Sequence, residues 1–104
     1  MTLRISRGAE EDLAGAIAWY DEQRDGLGYE FHDAVYDLLE TIEASPRRFP
    51  MIQGRNADHE IRHALLKRFP YRLVFQIKSD QSMVVLAVAH TRRHPDYWQR
   101  RNEE

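Results

Sequence analysis

Two histidine pairs, a glutamate and a set of arginines are the residues of this chain whose types and spacing can do chemistry. The stretch HEIRH, His59 to His63, fits the pattern H-E-x-x-H. On a helix that pattern sets two histidines on one face to hold zinc, with the glutamate placed to activate water. On a strand the same histidines point one way but stand too far apart to share an ion. Both readings fit the local pattern. Ile61, Leu65 and Phe69 are four apart, while Ile61, His63 and Leu65 also alternate with Arg62, Ala64 and Leu66. Arg62 inside the motif, with Lys67 and Arg68 soon after it, makes a poor setting for a dication. His90 and His94 (HTRRH) form a second pair around Arg92 and Arg93, with Asp96 as the nearby carboxylate. The expectation is no metal site and no cofactor.

The cationic and proton-transfer residues fall in two bursts. One is Arg62, Lys67, Arg68 and Arg72; the other is His90, Arg92, Arg93, His94, Tyr97 and Trp98. Such a set suits a polyanion, because arginines hold phosphates bidentately and Tyr97 or Trp98 can stack on an unpaired base. It can also support RNA cleavage by a 2′-hydroxyl, which needs a base, an acid and a cation beside the phosphorus. Arginine is too basic to exchange protons and would supply charge. His90 or Tyr97 would move the protons. The plainer alternative makes Tyr97 and Trp98 core plugs and pairs Arg72 with a helix carboxylate.

The elements that position these bursts follow from periodicity. Leu3 to Ser6 reads as a short strand, and Ser6 caps a helix through about Gln23 with Leu13, Ala16, Ile17 and Tyr20 on one face. Gly26 and Gly28 allow a reversal into a second helix, about Tyr29 to Ala44, whose buried stripe is Phe31, Val35, Leu38, Leu39 and Ile42. Residues 46–58 read as a loop that Phe49 and Met51 pin to the core. Tyr71 to Lys78 alternates as a strand, Ser79-Asp80-Gln81 turns, and Ser82 to His90 is a second strand, apolar on both faces and therefore central. The two strands pair as a hairpin, which brings Arg72 and His90 to the same end of the sheet. Pro95 then breaks the chain before a short basic tail. The expected architecture is α+β in one domain: a helical hairpin packed on a small, mainly antiparallel twisted sheet.

Composition narrows the partners. Among the 104 residues there is no cysteine, hence no disulfide framework, which fits a reducing cytosol. The longest apolar run, Met83 to Ala89, is far short of a membrane span, and the N-terminus carries no apolar export signal. Residues 1–45 carry 3 Lys/Arg against 11 Asp/Glu, and residues 46–104 carry 12 against 6. An acidic half joined to a basic half makes a polar molecule with one end suited to an anionic partner.

Five stretches in this order resemble the RelE/ParE superfamily of toxins from type II toxin–antitoxin systems, and within it the ParE-like plasmid stabilisation proteins. They are A-x-x-DL at Ala9 to Leu13, WYDEQRDGLGYEF at Trp19 to Phe31, SPRRFP at Ser45 to Pro50, IRHALLKRFPYRLVFQI at Ile61 to Ile77, and VLAVAHTRRHPDYWQRR at Val85 to Arg101. The resemblance implies a helical hairpin on an antiparallel sheet, with residues 61–66 in a strand. It implies a cytoplasmic growth-inhibiting toxin that oligomerises with a cognate antitoxin. RelE-like members cut messenger RNA in the ribosome; Arg72, Arg92 or Arg93 and Tyr97 match their arginines and tyrosine, while His90-Thr91 replaces a more basic stretch, and His90 would join them as a catalytic residue. Arg62, Lys67, Arg68 and Trp98 would then bind. ParE-like members lack that set and inhibit DNA gyrase, and the WYDEQRDGLG hairpin resembles this branch better. A pure interaction module is the remaining alternative.

Overall fold

The computed structural model describes residues 2–52, 60–93 and 96–99. Strand β1 (Leu3–Ile5) leads into helix α1 (Arg7–Gln23), and helix α2 (Leu27–Ala44) returns against it. A 3₁₀ turn at Pro46–Arg48 follows, then strands β2 (Glu60–Leu65), β3 (Tyr71–Ile77) and β4 (Met83–His90), and a short helix α3 (Asp96–Gln99). The sheet order is β1-β4-β3-β2, with β1 parallel to β4 and the other pairs antiparallel. β4 is therefore central, as its two apolar faces require.

Local sequence explains the helix ends. The Ser6 hydroxyl accepts from Ala9 N–H at 3.1 Å, capping α1. α2 starts at Leu27, two residues before the expected Tyr29, because Gly26, at φ 87°, turns the chain directly into it. Gly28 then packs against α1: its N–H donates to Asp21 Oδ1 at 2.8 Å, and a Cβ there would press on the Ile17 carbonyl and stand 2.9 Å from Asp21 Oδ1.

One face of the sheet packs on the helices. Leu13, Ala16 and Tyr20 of α1 and Phe31, Val35, Leu39 and Ile42 of α2 meet Leu73, Phe75, Ile77, Met83, Val85 and Val88. Leu38 is partly buried at the margin of this stripe. Phe69, in the β2–β3 turn, joins Tyr20, Phe31 and Tyr71 in a ring cluster with contacting centroids 4.9–6.1 Å apart, Tyr20 stacked on Phe31 and the other contacts edge-to-face. The opposite face carries a second apolar cluster, Val74, Val84, Leu86, Ala87 and Ala89, covered by Trp98 and Tyr97 of α3 and by Ile52.

The loop after α2 differs from expectation at one residue. Phe49 packs on the core, but Met51 is 51% exposed, and Ile52 makes the apolar contact instead. Met51 bridges to Arg62, with Ile52 N–H donating to the Ile61 carbonyl at 2.8 Å and His63 N–H to the Pro50 carbonyl at 3.1 Å. This pairing extends the sheet past β2, and strand alternation turns Met51 away from the cluster that Ile52 enters.

The two α-helical glycines with opposite surroundings give a paired test. Gly28→Ala should destabilise the protein by about 1–3 kcal/mol, because the added methyl meets backbone. Gly15→Ala, with nothing within 4 Å of the added Cβ, should stabilise by about 0.5–1 kcal/mol. Urea unfolding of both variants checks the sign of each.

Candidate functional site

The basic end of the sheet is built by the β3–β4 hairpin. Tyr71 pairs with His90 and Arg72 with Ala89, so Arg72 and His90 come to one end, whereas Arg62, opposite Phe75, does not join them. Thr91 N–H closes that end on the Pro70 carbonyl at 2.8 Å. A β-bulge interrupts the ladder, since Val74 opposes Ala87 while Phe75 opposes Val85. Leu86 is the extra residue, and it reverses the alternation of β4 from there on. Met83, Val85 and Val88 face the helices, whereas Val84, Leu86, Ala87 and Ala89 face away.

The reversal sorts the candidate residues between faces. His90 falls on the helix side, its ring edge-on to Tyr71 at 5.2 Å. Its Nδ1 accepts from Arg92 N–H at 3.1 Å, so a neutral ring carries its proton on Nε2. Burial, and then Asp12, push the Tyr71 hydroxyl pKa up, with Arg93 opposing them. The phenol stays protonated at neutral pH. Arg72 falls on the outer face with His63 and the alanines that leave room for Trp98. Trp98 is 3% exposed, so its indole packs on the sheet and presents no free face to a base. Tyr97 is partly buried beside it, with the Arg93 guanidinium 3.5 Å from the ring centroid. Arg92 and Arg93 are exposed.

The earlier burst divides in the same way. Arg62 pairs across to Phe75 on the helix side. Its Nε donates to Glu60 Oε2 at 2.8 Å and its Nη1 to the Phe49 carbonyl at 2.6 Å. Arg47 closes this network, giving Nε and Nη2 to the Glu60 carboxylate at 3.0 Å each and Nη1 to Gln81 Oε1 at 3.0 Å. Hydrogen bonds from Arg47, then from Arg62, hold the Glu60 carboxyl below its usual pKa. Arg62 is thus a fastener for the segment 46–49. Arg68 reaches Glu30 at 2.8 Å, and Arg24 reaches the other Glu30 oxygen at 3.2 Å. Lys67 is exposed in the turn.

HEIRH lies across the start of β2. Glu60 and His63 are on a strand, and alternation sends their side chains to opposite faces, so the helical spacing that zinc needs is not formed. His59 and His94 lie outside the described residues, as do Pro95 and the basic tail after Gln99. Among the described residues no group of three or more His, Asp or Glu side chains is placed to hold a metal ion. None of the described helices is long and apolar enough to cross a membrane.

Two site features were missed by sequence reasoning. One is His63, read as a metal candidate and found beside Arg72 on the outer face. The other is Asp12, whose Oδ2 accepts from Val88 N–H at 3.1 Å, just past the bulge. The signal for Asp12 was its place in A-x-x-DL, a carboxylate one turn inside a helix otherwise facing the sheet.

The family model of the ParE toxin of type II toxin–antitoxin systems, parDE, matches residues 3–95. The chain therefore belongs to the ParE toxin family. Among solved structures, a chain of the chromosomal ParDE toxin–antitoxin system from P. aeruginosa has a similar fold, with a TM-score of 0.63 and 19% identity over 86% of this chain and 95% of that one. A search of curated proteins gives no match.

Burial, and then the charge of Arg72, lower the pKa of His63. A group whose pKa falls on folding adds stability above its unfolded value, about 6.5 for histidine. That contribution is lost as pH falls through the unfolded value towards the folded one. The urea midpoint should therefore drop on going from pH 7.5 to below the unfolded value, about 6.5, and His63→Gln should flatten this part of the profile.

Proposed function

We propose that this toxin arrests growth by engaging DNA gyrase without chemistry of its own, through the basic end of the β3–β4 hairpin. The observation that carries this reading is the separation of the residues that RNA cleavage would need. A base, an acid and a cation must converge on one phosphate. Here Arg72 and Tyr97 lie on the outer face and His90 on the helix face, divided by the sheet. Arg92 and Arg93 remain exposed at its end, placed to bind an anionic surface. Family membership supports gyrase as the target and the cytoplasm as the place of action.

The same membership supports a cognate antitoxin as partner. Among the described residues, Arg72 Nε, His63 Nδ1 and Trp98 Nε1 are buried without a hydrogen-bond partner. Unmet buried polar atoms cost about 1–3 kcal/mol each. An antitoxin segment that took the place of α3 on this face would bring carbonyl or carboxylate oxygens to Arg72 and His63 and relieve that cost.

Ribosome-dependent messenger RNA cleavage is the second reading, favoured by one contact. His90 packs edge-on against Tyr71, with Arg93 close enough to influence the Tyr71 hydroxyl, which would set two proton-exchanging groups beside a cation.

The test expresses the toxin alone in a bacterial host and assays the purified protein on gyrase. Supercoiling should be inhibited by the wild type, and Arg93→Glu should weaken inhibition by about tenfold or more. Transcripts should show no new cuts by primer extension. Codon-phased cuts that vanish in His90→Ala, with supercoiling untouched, would replace this reading by the second.

A further inference from the structure

From its first turn, where Glu30 meets Arg68, α2 carries along its flank a row of rings that the core does not enclose. Tyr29 is 71% exposed and Tyr36 42% exposed. Between them His32 stacks on Tyr36, with centroids 4.4 Å apart and planes 25° from parallel, and tilts against Tyr29 at 6.2 Å. The spacing i, i+3, i+7 makes the three rings one stripe along the helix. The stripe flanks the buried face of α2, about a quarter-turn from Phe31, Val35 and Leu39, and none of its three residues is buried. Much of the tyrosine surface stays in water, and tyrosine is enriched where proteins meet.

The charges around the stripe say what would cover it. α2 carries Glu30, Asp33, Asp37, Glu40 and Glu43 and no lysine or arginine. Glu30 is met by Arg24 and Arg68. Among the described residues the other four carboxylates have no lysine or arginine partner. Glu40 and Glu43 also sit towards the C-terminal end of the helix, where its dipole is negative and disfavours them. Negative charge concentrated there repels nucleic acid and attracts a cation.

We propose that the Tyr29–His32–Tyr36 stripe is a docking surface for a polypeptide segment bearing arginine or lysine side chains. A guanidinium can stack on the tyrosine and histidine rings while its N–H groups reach a carboxylate one turn away. This surface is separate from the one assigned to gyrase, and its occupant is recognised whether or not gyrase is the target.

The test titrates the isotope-labelled full chain with a synthetic amphipathic helical peptide carrying arginines along one face, and with the same peptide carrying glutamates instead. Chemical-shift changes should centre on Tyr29, His32, Asp33 and Tyr36. The glutamate peptide should not bind. Tyr29→Ser with Tyr36→Ser should weaken binding by about tenfold, and Asp33→Asn with Asp37→Asn should both weaken it and flatten its salt dependence. All four positions are solvent-facing, so circular dichroism should be unchanged in both variants. Shifts spread equally over Glu10, Glu11 and Glu22 of α1, with the tyrosine variant binding as tightly, would reduce the surface to general charge attraction and overturn the proposal. Concentration-dependent shifts of the stripe without peptide would overturn it in favour of a second copy of the chain.

Discussion

The bulge at Leu86 is the constraint on which the arrangement of this protein turns. An extra residue in a central strand leaves backbone groups without ladder partners, and buried groups of that kind must be satisfied elsewhere. The start of α1 supplies the partners. Ser6 N–H donates to the Val85 carbonyl at 3.0 Å, the Ser6 hydroxyl donates to the Leu86 carbonyl at 3.5 Å, and Asp12 takes the Val88 N–H. Ser6 also caps the helix, so one buried serine ties helix initiation to sheet irregularity. Because the bulge reverses alternation, it sends His90 to the helix side and leaves Arg72 on the outer face.

A second network decides which cations are available to a partner. Glu60 gathers Arg47 and Arg62, and Arg62 holds the Phe49 carbonyl. The chain between α2 and β2 is thereby fastened to the end of the sheet away from Arg92 and Arg93. Glu30 gathers Arg24 and Arg68 at the helix ends. These pairs are largely at the surface, where each contributes modestly. Their consequence is positional: cations that look equivalent along the chain divide into fasteners such as Arg62 and groups exposed at the sheet end such as Arg92.

The result is a polar molecule with different chemistry at different places. The helical hairpin exposes carboxylates around an aromatic stripe. The hairpin end of the sheet exposes Arg92 and Arg93, and the outer face holds Arg72 and His63 with Nε and Nδ1 buried. A toxin that must meet an antitoxin and a cellular target gains from surfaces that do not compete for the same charge.

Much of this was legible in the chain. Periodicity located both helices and β4 as the central strand, because amphipathic spacing and a two-faced apolar run are local signals. The Ser79-Asp80-Gln81 turn placed Arg72 and His90 at one end, because a hairpin needs only its two strands and a turn. Five ordered motifs pointed to the toxin family. The choice of helix or strand for HEIRH was not local, since both patterns fit, and pairing with β3 settled it. Met51 and Ile52 exchanged roles for the same reason: the pairing of the loop with β2 set which of them points inward. The sorting of Arg72, Tyr97 and His90 between faces was beyond the sequence. One extra residue in a ladder inverts every side chain after it, and whether a strand takes that residue depends on Ser6 and Asp12, side chains 80 and 76 positions away from their partners in β4. Sequence sets which segments become strands and helices; the register between distant segments, decided by packing and by buried hydrogen bonds, sets which residues meet.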